Sequence, residues 1–206
     1  MRLLIGFLSA LAFSVGISAN PAGAATLNLD TSGQLLGASG VVISGKKYNV
    51  EFLAGSCIDV FNGCDDASDF AFSTEEEGRL ATIALREQVW IDSVLGQFDS
   101  RPELTRGCTN VFGCSAFKVI GFGSRPDEIR MWDGLNRAGP GGIDEGTPIG
   151  SDRFLDLSDP NVDSSDSYTF AKFSAVTPVP LPLGGVLLLT GLAGLAAIRR
   201  RKKRAV

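Results

Sequence analysis

The side chains of this chain that could do chemistry are four cysteines and a surplus of carboxylates. Histidine is absent from all 206 residues, which removes imidazole general bases, histidine-containing triads and histidine metal ligands together. The cysteines stand in two close pairs, Cys57 with Cys64 and Cys108 with Cys114. Thiolates that hold structural zinc are usually spaced more closely than these. In an exported chain an even cysteine count points to disulfides, whose connectivity spacing alone does not settle. A glycine immediately before the second member of each pair, Gly63 and Gly113, makes a tight turn feasible and favours closure within each pair. An arrangement that cross-links the two loops stays open.

The carboxylates gather in two places. Asp65, Asp66 and Asp69 follow the first cysteine pair, and Asp159, Asp163 and Asp166 lie in a late segment. Hard oxygen donors suit calcium, so Asp65, Asp66 and Asp69 form the candidate metal site; no cofactor is expected of the chain, and calcium is the one ion these residues could take. Neither group follows the EF-hand spacing, and solvated acidic loops account for both. Two carboxylates facing each other across a sugar would also serve a glycoside hydrolase. No Asp or Glu sits in a catalytic motif, however, and no nucleophile motif is present, so no catalytic residue is assigned and the chain is read as a non-enzyme. Trp90 and Trp132 could stack on sugars, but each falls in a periodic segment, which predicts core packing.

The elements that would position these groups can be read between residues 25 and 178. That stretch carries 12 cations against 23 anions, a net charge of −11, and so disfavours nucleic acid as a partner. It is long enough for one domain with its own core. Strands are expected over Thr26–Leu29, Gln34–Ile43 and Tyr48–Leu53, where Tyr48, Val50 and Phe52 alternate with Asn49 and Glu51. Ser44-Gly45-Lys46-Lys47 is the expected hairpin connection.

Thr74 with Glu77 forms a capping-box pattern ahead of apolar residues at helical spacing, predicting one amphipathic helix over Thr74–Leu95, weakened by Gly78. Further strands are expected over Phe117–Phe122, Glu128–Trp132 and Tyr168–Val176. The segments Gly134–Asp152 and Asp156–Ser167, rich in Gly, Pro, Asp and Ser, are expected as loops. The fold class is α+β, mainly antiparallel and sandwich-like, with one helix in the body.

Both termini read as targeting segments. Arg2, the apolar run Leu3–Ile17 and Ala22-Gly23-Ala24 have the three parts of a secretory signal peptide, placing the leader at residues 1–24. At the other end, Leu181–Ile198 is an uncharged, predominantly apolar stretch at the short end of the length that spans a bilayer. Arg199, Arg200, Arg201, Lys202, Lys203 and Arg204 follow it directly. Such cations hold a terminus on the cytoplasmic side, which leaves the body outside. Ahead of the helix, Val179-Pro180-Leu181-Pro182 disfavours helix and keeps the backbone extended, as a protease or transpeptidase requires.

A proline motif, a spanning helix and a basic terminus in that order resemble the PEP-CTERM class of bacterial sorting signals, in its VPLPA-CTERM variety. The matching residues are Val179, Pro180, Leu181 and Pro182; Leu183 stands where that pattern has Ala. The resemblance covers about residues 178 to 204 and makes residues 179–206 a sorting signal. The stretch Gly55 to Asp66, following a Tyr-x-Val-x-Phe strand and preceding Asp69-Phe70, also resembles a segment in the bodies of such proteins. The resemblance implies an exosortase-like membrane enzyme as processing partner and an association with exopolysaccharide or biofilm.

The expected protein is therefore exported, held for a time at the inner membrane with its body in the periplasm, and passed to the cell surface or extracellular matrix. A permanently anchored periplasmic calcium- or glycan-binding module is the alternative, and an acidic-dyad glycan hydrolase is a third reading.

Overall fold

The computed structural model describes residues 24–139, 146–155 and 168–177. The leader, the Asp159, Asp163 and Asp166 group, the Val179–Pro182 motif, the apolar stretch 181–198 and the basic run 199–204 lie outside the described residues. Among the described residues, no helix is long and apolar enough to cross a membrane.

Seven strands form one sheet in the order β1-β2-β3-β9-β6-β7-β8. They are β1 (Thr26–Leu29), β2 (Leu35–Ile43), β3 (Lys46–Leu53), β6 (Gly113–Phe122), β7 (Glu128–Arg137), β8 (Gly146–Asp152) and β9 (Tyr168–Ala175). A separate ribbon pairs β4 (Asp92–Ser93) with β5 (Gly96–Gln97). The α+β class holds, but the sandwich-like arrangement is corrected, because no second sheet of long strands faces the first among the described residues. The reason is β9, which pairs antiparallel with β3 and parallel with β6. It joins an N-terminal meander and a C-terminal meander edge to edge instead of face to face. Central strands of such a sheet are covered on both sides, so β6 is buried at every position from Cys114 to Ile120.

The β2–β3 hairpin turns on Ser44 and Gly45 alone, both with positive φ (48° and 77°), and Ile43 pairs with Lys46. This is the two-residue connection whose twist matches the strands, tighter than the four-residue connection expected. The one long helix, α2 (Glu75–Gln88), begins where its cap pattern places it. Thr74 accepts from the Glu77 amide and the Glu77 carboxylate accepts from the Thr74 amide.

The helix ends short of Leu95. Val89 leaves the helical region (φ −123°, ψ −54°), and the chain then enters the β4–β5 ribbon. Trp90 is 1 % exposed and stacks on Phe52 with ring centroids 6.1 Å apart. The predicted core role of both tryptophans is observed, since Trp132 is buried as well.

A second correction concerns Gly134–Asp152, read as loop from its glycines. Gly134–Arg137 continue β7, and Gly146–Asp152 are β8. Gly134 and Gly146 serve close approach and not turning. A Cβ at Gly134 would fall on Lys118 Nζ, and one at Gly146 on the Trp132 indole nitrogen. Gly78 in α2 is similar, lying against the Trp132 side chain.

Two apolar clusters cover the two faces of the sheet. On the first face α2 packs over Leu35, Val41, Val50, Phe52, Ile120 and Trp132. On the second, a short helix α1 (Cys57–Val60) and its disulfide loop pack over Phe117, Val119, Ile129, Met131 and Phe170.

Candidate functional site

The cysteines close locally. Cys57 bonds Cys64 and Cys108 bonds Cys114, with Cα atoms 5.6 Å apart in each pair, and no cysteine is free. Asn62, Gly63 and Cys64 all take positive φ (46°, 101° and 52°), so the first loop is a run of left-handed residues that only a glycine-centred turn tolerates readily. Ser56 caps α1 through a reciprocal box with Asp59. Lys172, on β9, fastens this loop to the sheet by donating to the Val60 carbonyl at 2.6 Å and lying over the Phe61 ring. The second loop is its opposite in surroundings, since Val111 and Phe112 within it are exposed.

Two of the three candidate calcium ligands, Asp66 and Asp69, engage the backbone of a turn. Asp66 Oδ1 accepts from the Ser68 amide at 2.8 Å, and Asp69 Oδ2 accepts from the Asp66 amide at 3.3 Å, forming a reciprocal cap on the 3-10 turn Ala67–Asp69. The Ser68 backbone bond holds the Asp66 carboxyl below its ordinary range. Asp65 lies beside Gly63. Among the described residues, no group of three His, Cys, Asp or Glu is placed to hold a metal ion.

The site that does emerge is a cleft of about 410 Å³ on the second face, beside the first disulfide loop's territory. Alternation along four adjacent strands builds it. Ser115 and Phe117 come from β6; Met131, Asp133, Leu135 and Arg137 from β7; Ile149 and Ser151 from β8; Tyr168 from β9. Cross-strand register brings these together, with Ser115 opposite both Leu135 and Tyr168, Phe117 opposite Asp133, and Met131 opposite Ile149. The floor is apolar, with Phe117 and Met131 buried. Tyr168 lies nearly flat on Phe117, 5.2 Å between centroids and 20° between planes. Ser115 Oγ is 3.4 Å from Asp133 Oδ2.

The sequence assigns none of these residues a site role. Asp133 and Arg137 belong to a glycine-bearing stretch that reads as strand end and loop, and their convergence with Tyr168 depends on pairings across the sheet. Met131, Asp133, Leu135 and Arg137 mix apolar and charged types at every second position, so the stretch carries no apolar–polar alternation that singles out one face.

Behind the cleft, on the first face, Lys118 is 1 % exposed and sits opposite Trp132. Its ammonium donates to the Ala116 carbonyl at 2.8 Å, in the space that Gly134 leaves by lacking a side chain. Burial pushes the Lys118 pKa down to about 7, against the opposing pull of Asp133. Comparison with protein-family models, with curated proteins and with solved structures finds no match to this chain.

Proposed function

We propose that this chain is an exported surface or extracellular-matrix protein, delivered by its leader, held at the membrane by its tail and handed on by an exosortase-like enzyme. Its body acts by binding or structural association and not by catalysis, in keeping with an association with exopolysaccharide. The observation that carries the reading is the closure of both cysteine pairs into short local disulfides within a strongly acidic domain. Such bonds persist in oxidising compartments and are rare where glutathione keeps thiols reduced. The targeting segments at the two termini supply the route.

Intact-mass analysis of the protein from its native host, with non-reducing peptide mapping, tests this. The expected result is a chain that starts near Ala25, ends before Val206 and carries the two local cystine peptides. A full-length chain with free thiols overturns the export reading. Recovery only of chains that lack the leader but end at Val206 leaves the permanently anchored module in its place. Neutralising Arg199 to Arg204 is expected to reduce membrane retention or invert the tail, since its orientation rests on those charges.

A further inference from the structure

The end of the sheet at which β9 stops carries two cations without carboxylate partners. The Val176 amide donates to the Lys47 carbonyl at 2.9 Å, so the chain leaves β9 beside the turn of the β2–β3 hairpin. Lys46 and Lys47, at the start of β3, are both exposed. Among the described residues, neither ammonium has a carboxylate within ion-pair distance. The charges to either side of this turn come with opposite partners. In the β6–β7 turn at the same end, Arg125 lies 3.6 Å from Glu128. Gln88 bonds the amide and carbonyl of Val42 and so brings the end of α2 here, where Arg86 and Glu87 pair at 3.6 Å. The hairpin turn is therefore a positive spot on a domain of net charge −11.

Lys46 and Lys47 are consecutive in a strand and project to opposite faces of the sheet. A surface lying flat on either face would meet one of them, whereas a surface that meets the sheet end-on meets both. The chain beyond β9 says which surface that is. The uncharged apolar stretch begins at Leu181, five residues after Val176, and such a tether reaches at most about 18 Å when fully extended. With that stretch seated in a bilayer, the β2–β3 turn lies beside the tether point, within reach of the lipid surface. Anionic headgroups attract cations held so close, by about fivefold in equilibrium for each lysine.

We propose that the β2–β3 turn docks end-on, through Lys46 and Lys47, on the anionic phospholipid headgroups of the membrane that holds the tail. The proposal rests on the reading of the tail as a membrane anchor and adds the orientation of the anchored body. The second disulfide loop, with exposed Val111 and Phe112, joins β6 at Gly113, the opposite end of the sheet, and so faces away from the membrane.

The test takes the full chain from membranes of its native host into vesicles of phosphatidylcholine, alone or mixed with phosphatidylglycerol. Each vesicle is doped with a phospholipid bearing a photoreactive diazirine in its headgroup. Flotation reports whether the bilayer holds the protein, and peptide mass spectrometry maps the crosslinks. Crosslinks are expected on residues 44 to 49 and not on residues 109 to 113, with a yield at least about fivefold higher in the phosphatidylglycerol vesicles. Lys46→Gln with Lys47→Gln should lower the yield to the phosphatidylcholine level at an unchanged thermal melt, since both side chains are exposed. Lys46→Arg with Lys47→Arg should retain it. Equal yields in the two vesicles, crosslinks concentrated on residues 109 to 113, or a yield that the double Gln substitution leaves unchanged overturns the proposal, while flotation keeps the anchor reading standing. Protein that floats with neither vesicle overturns the anchor reading and this proposal with it.

Discussion

The two faces of the sheet are made by the same strands and behave as opposites. On the first, α2 and the N-terminal strands bury large side chains continuously, and the buried Lys118 is enclosed with its ammonium on a backbone carbonyl. On the second, the disulfide loop covers only part of the surface, and the remainder is a cleft where Asp133 and Arg137 line an apolar floor. Burial is uniform where a helix runs across the strands and interrupted where a short stapled loop does the covering. In this chain the face closed by the long amphipathic helix is core, and the face closed by the compact loop keeps an open cleft.

The largest expected contrast between the faces is in side-chain truncation. Trp90→Ala removes a buried ring stacked on Phe52 and should cost about 3 to 5 kcal/mol. Leu135→Ala in the part-exposed cleft should cost below about 1 kcal/mol. Denaturant melts of the two variants decide this, and equal losses would remove the distinction between a packed and an open face.

Next comes the pH dependence set by Lys118. Its folded pKa is lowered to about 7 from 10.5, so between those values the unfolded chain binds a proton that the folded chain lacks. Stability should therefore rise with pH across that window, by up to about 1.4 kcal/mol per unit, and this contribution should be flat below it. Lys118→Met should flatten the rise. Chemical denaturation at a series of pH values measures it, and an identical slope in the variant would show that the amine is not the titrating group.

The disulfides give a smaller effect. Removing either one, as Cys57→Ala with Cys64→Ala or as Cys108→Ala with Cys114→Ala, releases a short loop and should cost about 2.5 kcal/mol from chain entropy. The first should cost more than the second, because Cys57, Val60, Phe61 and Cys64 are all packed into the core of the second face, whereas Val111 and Phe112 in the other loop are exposed. Matching melting shifts would mean that the packing of the first loop survives without its bond. Smallest is Thr74→Ala, which removes the cap of α2 and should cost about 1 kcal/mol. Its helix signal by circular dichroism should persist, since packing on the sheet holds the helix.

Much of this was legible where the determining interactions are local. Thr74 and Glu77 sit three residues apart, so their reciprocal cap is legible from spacing, and the helix start is fixed by it. The helix end is not legible in this way, because Trp90 leaves the helical path to reach Phe52, far away in the chain. Likewise Thr26–Leu29 and the β2–β3 hairpin could be read from alternation and a turn signal. The extension of β7 through Gly134 could not, because the glycine makes room for Lys118 on the neighbouring strand.

The sequence alone was enough for the targeting logic to be stated, for histidine-based chemistry to be removed, for the cysteines to be grouped and for most strands to be located, since each depends on composition or on neighbours within a few residues. Only the tertiary structure decided that the two meanders share one sheet through β9, that Asp66 and Asp69 cap a turn, and that Ser115, Asp133, Arg137 and Tyr168 meet in a cleft. The reason is physical. Strand order and register arise from backbone pairing between segments distant in the chain, such as Leu53 with Phe170 and Ser115 with Tyr168. Which side chains share a face across several strands follows from that pairing and from no local pattern.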